Sequence, residues 1–277
     1  MHPTLTRTLR LFGLLEAGRR VELQLRLRGE RALPDAMIIG AMKAGTSSLH
    51  NYLTQHPGVI APLRKEVHYF DLQYGNGERW YRANFGPLGR PGLNLDSSPY
   101  YLFHPLAAQR AHALVPQAKL VVLLRDPIRR AYSHYWHERD KRRERLSFED
   151  AIAAEPERVG DDEQRLARGE IQQSRAHQHC TYLARGRYAE QLERWLRFYP
   201  REQLLVLQFE DLGRAPMVTL NRTLEYLALP PMARVRLDPR NARKYPPINP
   251  ATAERLREYF APHDAALAAL LGEPTRW

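Results

Sequence analysis

Residues 36–55 hold the feature that most restricts how this 277-residue chain can fold: an apolar run, a glycine-bounded loop, then a helix. Ala36-Met-Ile-Ile-Gly40 is short, apolar and closed by glycine, which reads as a buried strand. Gly40-Ala-Met-Lys-Ala-Gly45 is a tight loop. From Thr46 to Gln55, Leu49, Tyr52 and Leu53 recur at helical spacing until His56-Pro57 ends the run.

The alternation continues downstream. Lys119–Leu124 is a near-continuous apolar run, suited to a central strand covered on both faces. Glu66–Phe70, Leu93–Asp96 and Leu204–Phe209 read as further strand segments. Helices are predicted over Gly77–Phe85, Leu106–Val115, Tyr182–Tyr199, Met217–Leu229 and Asn249–Leu271. Another starts at Pro127 with Asp126 as its cap, and Ser147-Phe-Glu-Asp150 resembles a capping signature. Buried strands alternating with helices predict a single α/β domain, a central parallel sheet flanked by helices. Residues 1–33 are set apart as an N-terminal arm or helix, and residues 34–277 form the domain. In the arm, the apolar patch Leu9–Leu15 lies among Arg7, Arg10, Arg19 and Arg20. It lacks the clean apolar run and small-residue cleavage site of a secretory signal. Docking on the body is expected ahead of membrane association.

Charge and cysteine content narrow the partners. Forty-two Lys and Arg against 31 Asp and Glu give a net charge of +11, which favours anionic ligands without choosing among them. The lone Cys180 excludes an internal disulfide and paired-cysteine metal sites. No stretch approaches the ~20 apolar residues of a membrane-spanning helix, so a cytoplasmic location is expected. His134 and His137, like His177 and His179, lack the third ligand of a metal site, and no metal is expected. The basic run Arg139–Arg145 holds no stacking aromatics and reads as an exposed helix end, not a nucleic-acid surface.

Two constellations point to a nucleotide. In Gly40–Ser48 the amides at the helix start are unpaired and the helix dipole is positive there, so an anion is the natural ligand. Gly45 lets the backbone approach closely, while Thr46, Ser47 and Ser48 add hydroxyls. The loop is P-loop-like but not a Walker A loop: Lys43 precedes Gly45 by two residues, and Thr46 stands where that lysine belongs. Lys43 therefore reaches the anion from the other side. Arg125 follows the strand Lys119–Leu124, at the rim where α/β sheets bind ligands. Ser133 lies about two turns into the next helix and can share an anion with it.

Met42-Lys-Ala-Gly-Thr-Ser-Ser48 resembles the 5′-phosphosulfate loop of sulfotransferases that use PAPS (3′-phosphoadenosine 5′-phosphosulfate). The likeness is closest to the heparan sulfate N- and 3-O-sulfotransferase type and its bacterial relatives. It implies PAPS as donor, held by Lys43, Ala44, Gly45, Thr46, Ser47 and Ser48, with Arg125 and Ser133 on the 3′-phosphate. Lys65-Glu-Val-His-Tyr-Phe70 resembles the segment carrying the family's catalytic base, which makes Glu66 the base and His68 a second candidate. Lys43 is the third catalytic candidate. Asn241-Ala-Arg-Lys-Tyr-Pro246 resembles a Lys-Gly-Arg stretch that closes over the donor. Arg243 matches the arginine; Asn241 replaces the lysine, for which Lys244 can substitute; Tyr245 follows. Gly77–Tyr81 resembles the Trp-Tyr segment after the base, and Asp96–Tyr101 the Glu-Lys-Thr-Pro-x-Tyr segment near the acceptor, with Ser97 in the lysine's place. Trp80, Ser98 and Tyr100 are thereby expected to face the acceptor, whose identity the sequence does not encode. A nucleotide kinase, lacking a Walker lysine and magnesium carboxylate here, and a non-enzymatic polyanion binder are the rival readings.

Overall fold

The computed structural model describes residues 22, 23, 25–237 and 245–277. Five strands form one sheet: β1 Ala36–Gly40, β2 Val59–Ile60, β3 Leu93–Ser97, β4 Lys119–Leu124 and β5 Leu204–Gln208. Their order is β2-β3-β1-β4-β5, and every pairing is parallel. All of β1 is buried, as is β4 after Lys119, which is why both read as unbroken apolar runs. Each such Val, Ile or Leu contributes about 1.5–3 kcal/mol through burial.

Six helices of eight residues or more flank the sheet among the described residues: α1 Thr46–Leu53, α2 Ala107–Leu114, α3 Pro127–Asp140, α4 Tyr188–Leu196, α5 Pro216–Tyr226 and α6 Pro250–Leu271. Asp126 caps α3, its Oδ1 accepting from the amides of Ile128 at 2.8 Å and Arg129 at 3.3 Å. Such a cap is worth about 1 kcal/mol. Asn249 caps α6 in the same way through the Ala251 amide at 2.9 Å. The main core lies between sheet and helices and includes Met37, Val121, Leu192 and Trp195. A second cluster, including Tyr135, Phe148, Tyr182 and Phe260, binds α3 to α6.

Two local expectations are corrected. Glu66–Phe70 is not a strand: Glu66 and His68 take left-handed φ of 62° and 58°, which no extended segment accommodates. The second strand is instead the two-residue Val59–Ile60. The helix expected from Tyr182 begins at Tyr188, after a 3₁₀ turn Ala184–Gly186. There Gly186 meets Phe260 and Pro127; a Cβ on it would lie 2.6 Å from the Phe260 ring. Of the arm, Arg26 reaches the Phe85 carbonyl at 3.4 Å and Ala32 donates to the Gly86 carbonyl at 3.0 Å. Residues 1–21 lie outside the described residues.

Candidate active site

Because the strands are parallel, the loops after β1, β3 and β4 leave the sheet at the same edge, where α/β folds bind ligands. A cavity of about 890 Å³ opens there. The loop after β1 contributes Lys43, Gly45, Thr46, Ser47 and Ser48 to its wall, while Arg125 and Ser133 come from the tip of β4 and from α3. Gly45 has φ 88° and no side chain caps α1; the Ser48 amide turns back to the Gly45 carbonyl at 3.0 Å, which leaves the amides of Thr46 and Ser47 to the occupant of the cavity. A Cβ on Gly45 would meet the Phe209 ring at 2.8 Å. The Arg125 guanidinium lies over that same ring at 4.6 Å and donates to the Lys43 carbonyl at 3.0 Å. The two loops are thus tied to each other. Arg125 Nε is buried with no hydrogen-bond partner, and burial lowers the guanidinium pKa. A phosphate oxygen satisfies both deficits.

Across the cavity stand Glu66 and His68. Lys65 Nζ donates to Glu66 Oε1 at 2.5 Å, and His68 Nε2 lies 3.5 Å from Glu66 Oε2. His68 Nδ1 is 2.9 Å from Asp71 Oδ2. Burial lowers the His68 pKa, but the Asp71 and Glu66 carboxylates outweigh it and push the imidazole up to about 10. Burial raises Glu66, yet His68 and Lys65 hold its carboxyl far below the usual carboxylate range. The Glu66 side chain is 42% exposed, so solvent screens these pairs. His50 on α1 bonds Ser97 Oγ at 2.7 Å; burial, then Lys65, lowers it to about 4. Among the described residues, three of the five non-glycine positions with left-handed φ, namely Lys43, Glu66 and His68, line this cavity. Such conformations gather at functional sites.

Not every expected residue reaches the cavity. Tyr100 and Tyr245 line it; Ala44, fully buried, does not. Tyr245 stacks on Trp136 at 5.7 Å. Trp80 packs against the main core, stacked on Tyr69 at 6.4 Å, and Ser98 is fully buried. Arg243 and Lys244 lie outside the described residues.

Other wall residues escaped the sequence. His137 and Glu138 project from α3, and Lys141 and Arg143 follow its end at Asp140. The basic run lies mostly beyond the helix end, and within it Lys141 and Arg143 line the cavity. Arg185 is 3% exposed, donates to the Gln178 carbonyl at 2.8 Å and lies over the Tyr100 ring at 4.7 Å. Burial lowers it to about 10. Its one sequence signal was an arginine between apolar residues and Gly186.

The chain is similar to known proteins in both sequence and fold. The chain is 26% identical to the membrane-associated sulfotransferase kil1 of Dictyostelium discoideum, over 88% of this chain and 66% of the relative. It is 30% identical to human heparan sulfate glucosamine 3-O-sulfotransferase 3B1, over 90% of this chain and 66% of that protein. It therefore spans just under two thirds of the length of each. A solved sulfotransferase from Alicyclobacillus acidocaldarius superposes with a TM-score of 0.70 at 31% identity, covering 88% of this chain and 98% of the other. Residues 33–239, which begin with the strand–loop–helix cradle, match the sulfotransferase domain, and that match makes this chain a member of the sulfotransferase family.

Proposed function

We infer that this sulfotransferase moves the sulfuryl group of PAPS to a hydroxyl or amine of its acceptor, with Glu66 as base. The observation that carries the reading is the cavity itself: two cationic cradles at neighbouring strand tips open beside a carboxylate held ionised.

PAPS, when bound, supplies an electrophilic sulfur and leaves as the bisphosphate PAP. Lys43 and the amides of Gly45, Thr46 and Ser47 face the 5′-phosphosulfate and balance the charge that grows on it, while the buried Ala44 amide is spent on the Ala41 carbonyl and shapes the loop. Arg125 and Ser133 take the 3′-phosphate, the group that separates PAPS from ATP, and Tyr245 stands beside them. Arg243 and Lys244 belong to the same reading as a cover over the donor. Glu66 is ionised at neutral pH and takes the acceptor's proton as the nucleophile attacks sulfur. His68, charged between Asp71 and Glu66, fixes the direction of the Glu66 carboxylate. Tyr100 lines the acceptor side, while Trp80 and Ser98, packed on Tyr69 and bonded to the His68 amide, support the Glu66 segment from behind. The scheme calls for no metal ion and no nucleic-acid partner. A cytoplasmic location goes with it; no helix among the described residues is long and apolar enough to cross a membrane. Fractionation of the full chain tests that point.

The decisive experiment compares ligands. PAP is expected to raise the melting temperature well above AMP and ATP, and Arg125→Gln to lose about tenfold or more of that preference. Equal stabilisation by AMP and PAP would overturn the donor assignment. Labelled PAPS offered with alcohol, phenol and amino-sugar acceptors then identifies the acceptor class.

A further inference from the structure

Two segments stand outside both the donor cradle and the Glu66–His68 pair: Gly77–Tyr81 and Asp96–Tyr101. Their buried hydroxyls converge on one carboxylate. Asp96 is fully buried near the end of β3. Its Oδ2 accepts from the hydroxyls of Tyr81 and Tyr101, each at 2.9 Å, and its Oδ1 from Ser98 Oγ at 2.8 Å.

A hydroxyl has a single proton to donate. Having given theirs to Asp96, Ser98 and Tyr101 remain as acceptors, and both are spent on the segment carrying the base. Ser98 Oγ accepts from the His68 amide at 3.1 Å, and Tyr101 Oη from the Tyr69 amide at 2.8 Å. The Ser97 carbonyl takes the Glu66 amide at 3.1 Å. Tyr81 adds its ring, stacked on Tyr69 at 4.3 Å and 11°. Glu66 and His68 both hold left-handed φ, a conformation that a residue with a Cβ keeps only where its surroundings impose it.

We propose that Asp96 is a positioning residue: by fixing the proton direction of the Ser98 and Tyr101 hydroxyls, it clamps the backbone of Glu66–Tyr69 so that Glu66 and His68 face the cavity together. Asp96 touches neither donor nor acceptor; it acts through two hydroxyls and two amides. The role of Glu66 in this statement rests on the sulfotransferase mechanism above, whereas the clamp itself does not. Around the clamped pair, Glu66 faces Lys65 and His68 from its own segment and His50 from α1, and His68 faces Asp71 and Glu66 from its own segment and Asp96 from β3.

The test uses the full chain. Asp96→Ala strands three buried hydroxyls at once and is expected to fold poorly, so single-acceptor variants carry the experiment. Ser98→Ala removes the acceptor of the His68 amide, and Tyr101→Phe that of the Tyr69 amide. Histidine ring NMR, with His68 assigned by its loss in His68→Gln, reads the imidazole directly. Both variants, melting cooperatively, are expected to bring the His68 titration down toward the ordinary histidine range by a unit or more. Their kcat for transfer from labelled PAPS falls about 10- to 100-fold, with the Kd for PAP within twofold of the parent. Ser98→Thr, which restores the hydroxyl, recovers the His68 titration. In the Asp96→Asn background, Ser98→Ala costs less than it does alone. Folded Ser98→Ala and Tyr101→Phe proteins with an unmoved His68 titration would overturn the clamp. A parent chain that consumes no PAPS sinks the donor assignment instead, and the NMR titration still decides the clamp.

Discussion

At the tips of β1 and β4 the site is made by rules of the backbone; at Lys65–Phe70 it is made by side chains that arrive from elsewhere. The donor cradle needs a strand end, a glycine with φ 88° and an uncapped helix start, all set within about ten residues of chain. The Glu66 segment has no regular structure of its own. Its amides are held by Ser97, Ser98 and Tyr101, about 30 residues downstream. The first region is set by local geometry, with Gly45 in the left-handed conformation and the helix start uncapped. The second is held from a distance, so its charge and shape can change while the cradle stays as it is. Binding and chemistry should therefore come apart under mutation.

Glu66→Gln is the largest expected break. It keeps the size of the side chain and removes the proposed base, and transfer should fall about 1,000-fold with the Kd for PAP unchanged by isothermal titration. A parallel loss of PAP affinity would show that the two regions are not separable. Next comes Gly45→Ala, which places a Cβ 2.8 Å from the Phe209 ring at a positive φ. PAP binding should weaken about tenfold or more, while the His68 titration stays where it is. The smallest effect concerns pH. The folded-state pKa of His68 is raised from 6.5 to about 10. Its contribution to stability is thus complete below about 6.5 and is lost as pH rises through about 10. His68→Gln should melt about 2–4 °C below the parent near pH 6, and the gap should close by pH 10. A gap that does not depend on pH would mean that packing, not charge, holds His68 in place.

The same contrast explains what was legible in the sequence. Ala36–Gly40 and Lys119–Leu124 announced themselves because burial on both faces demands an unbroken apolar run. Asp126-Pro127 announced α3 because the cap is made within three residues. Val59–Ile60 was too short to carry a pattern. Glu66–Phe70 carried strand-forming residues, but its backbone answers to Ser98 and Tyr101, which local propensity cannot see. Gly186 delayed α4 for a similar reason: its neighbours Phe260 and Pro127 come from other elements. Of the site, Lys43, Gly45, Thr46, Arg125 and Ser133 were readable from a loop and a strand end. Lys141, Arg143 and Arg185 were not, since only the docking of α3 and the turn after residue 180 brings them to the cavity.

One ring ends up serving two masters. Phe209, the first residue beyond β5, lies within contact of Gly45 on one side and under Arg125 on the other. A bulkier residue at 45 demands a smaller one at 209, and a smaller one at 209 removes the platform beneath the arginine. Three positions scattered along the chain from 45 to 209 are thereby coupled through one ring.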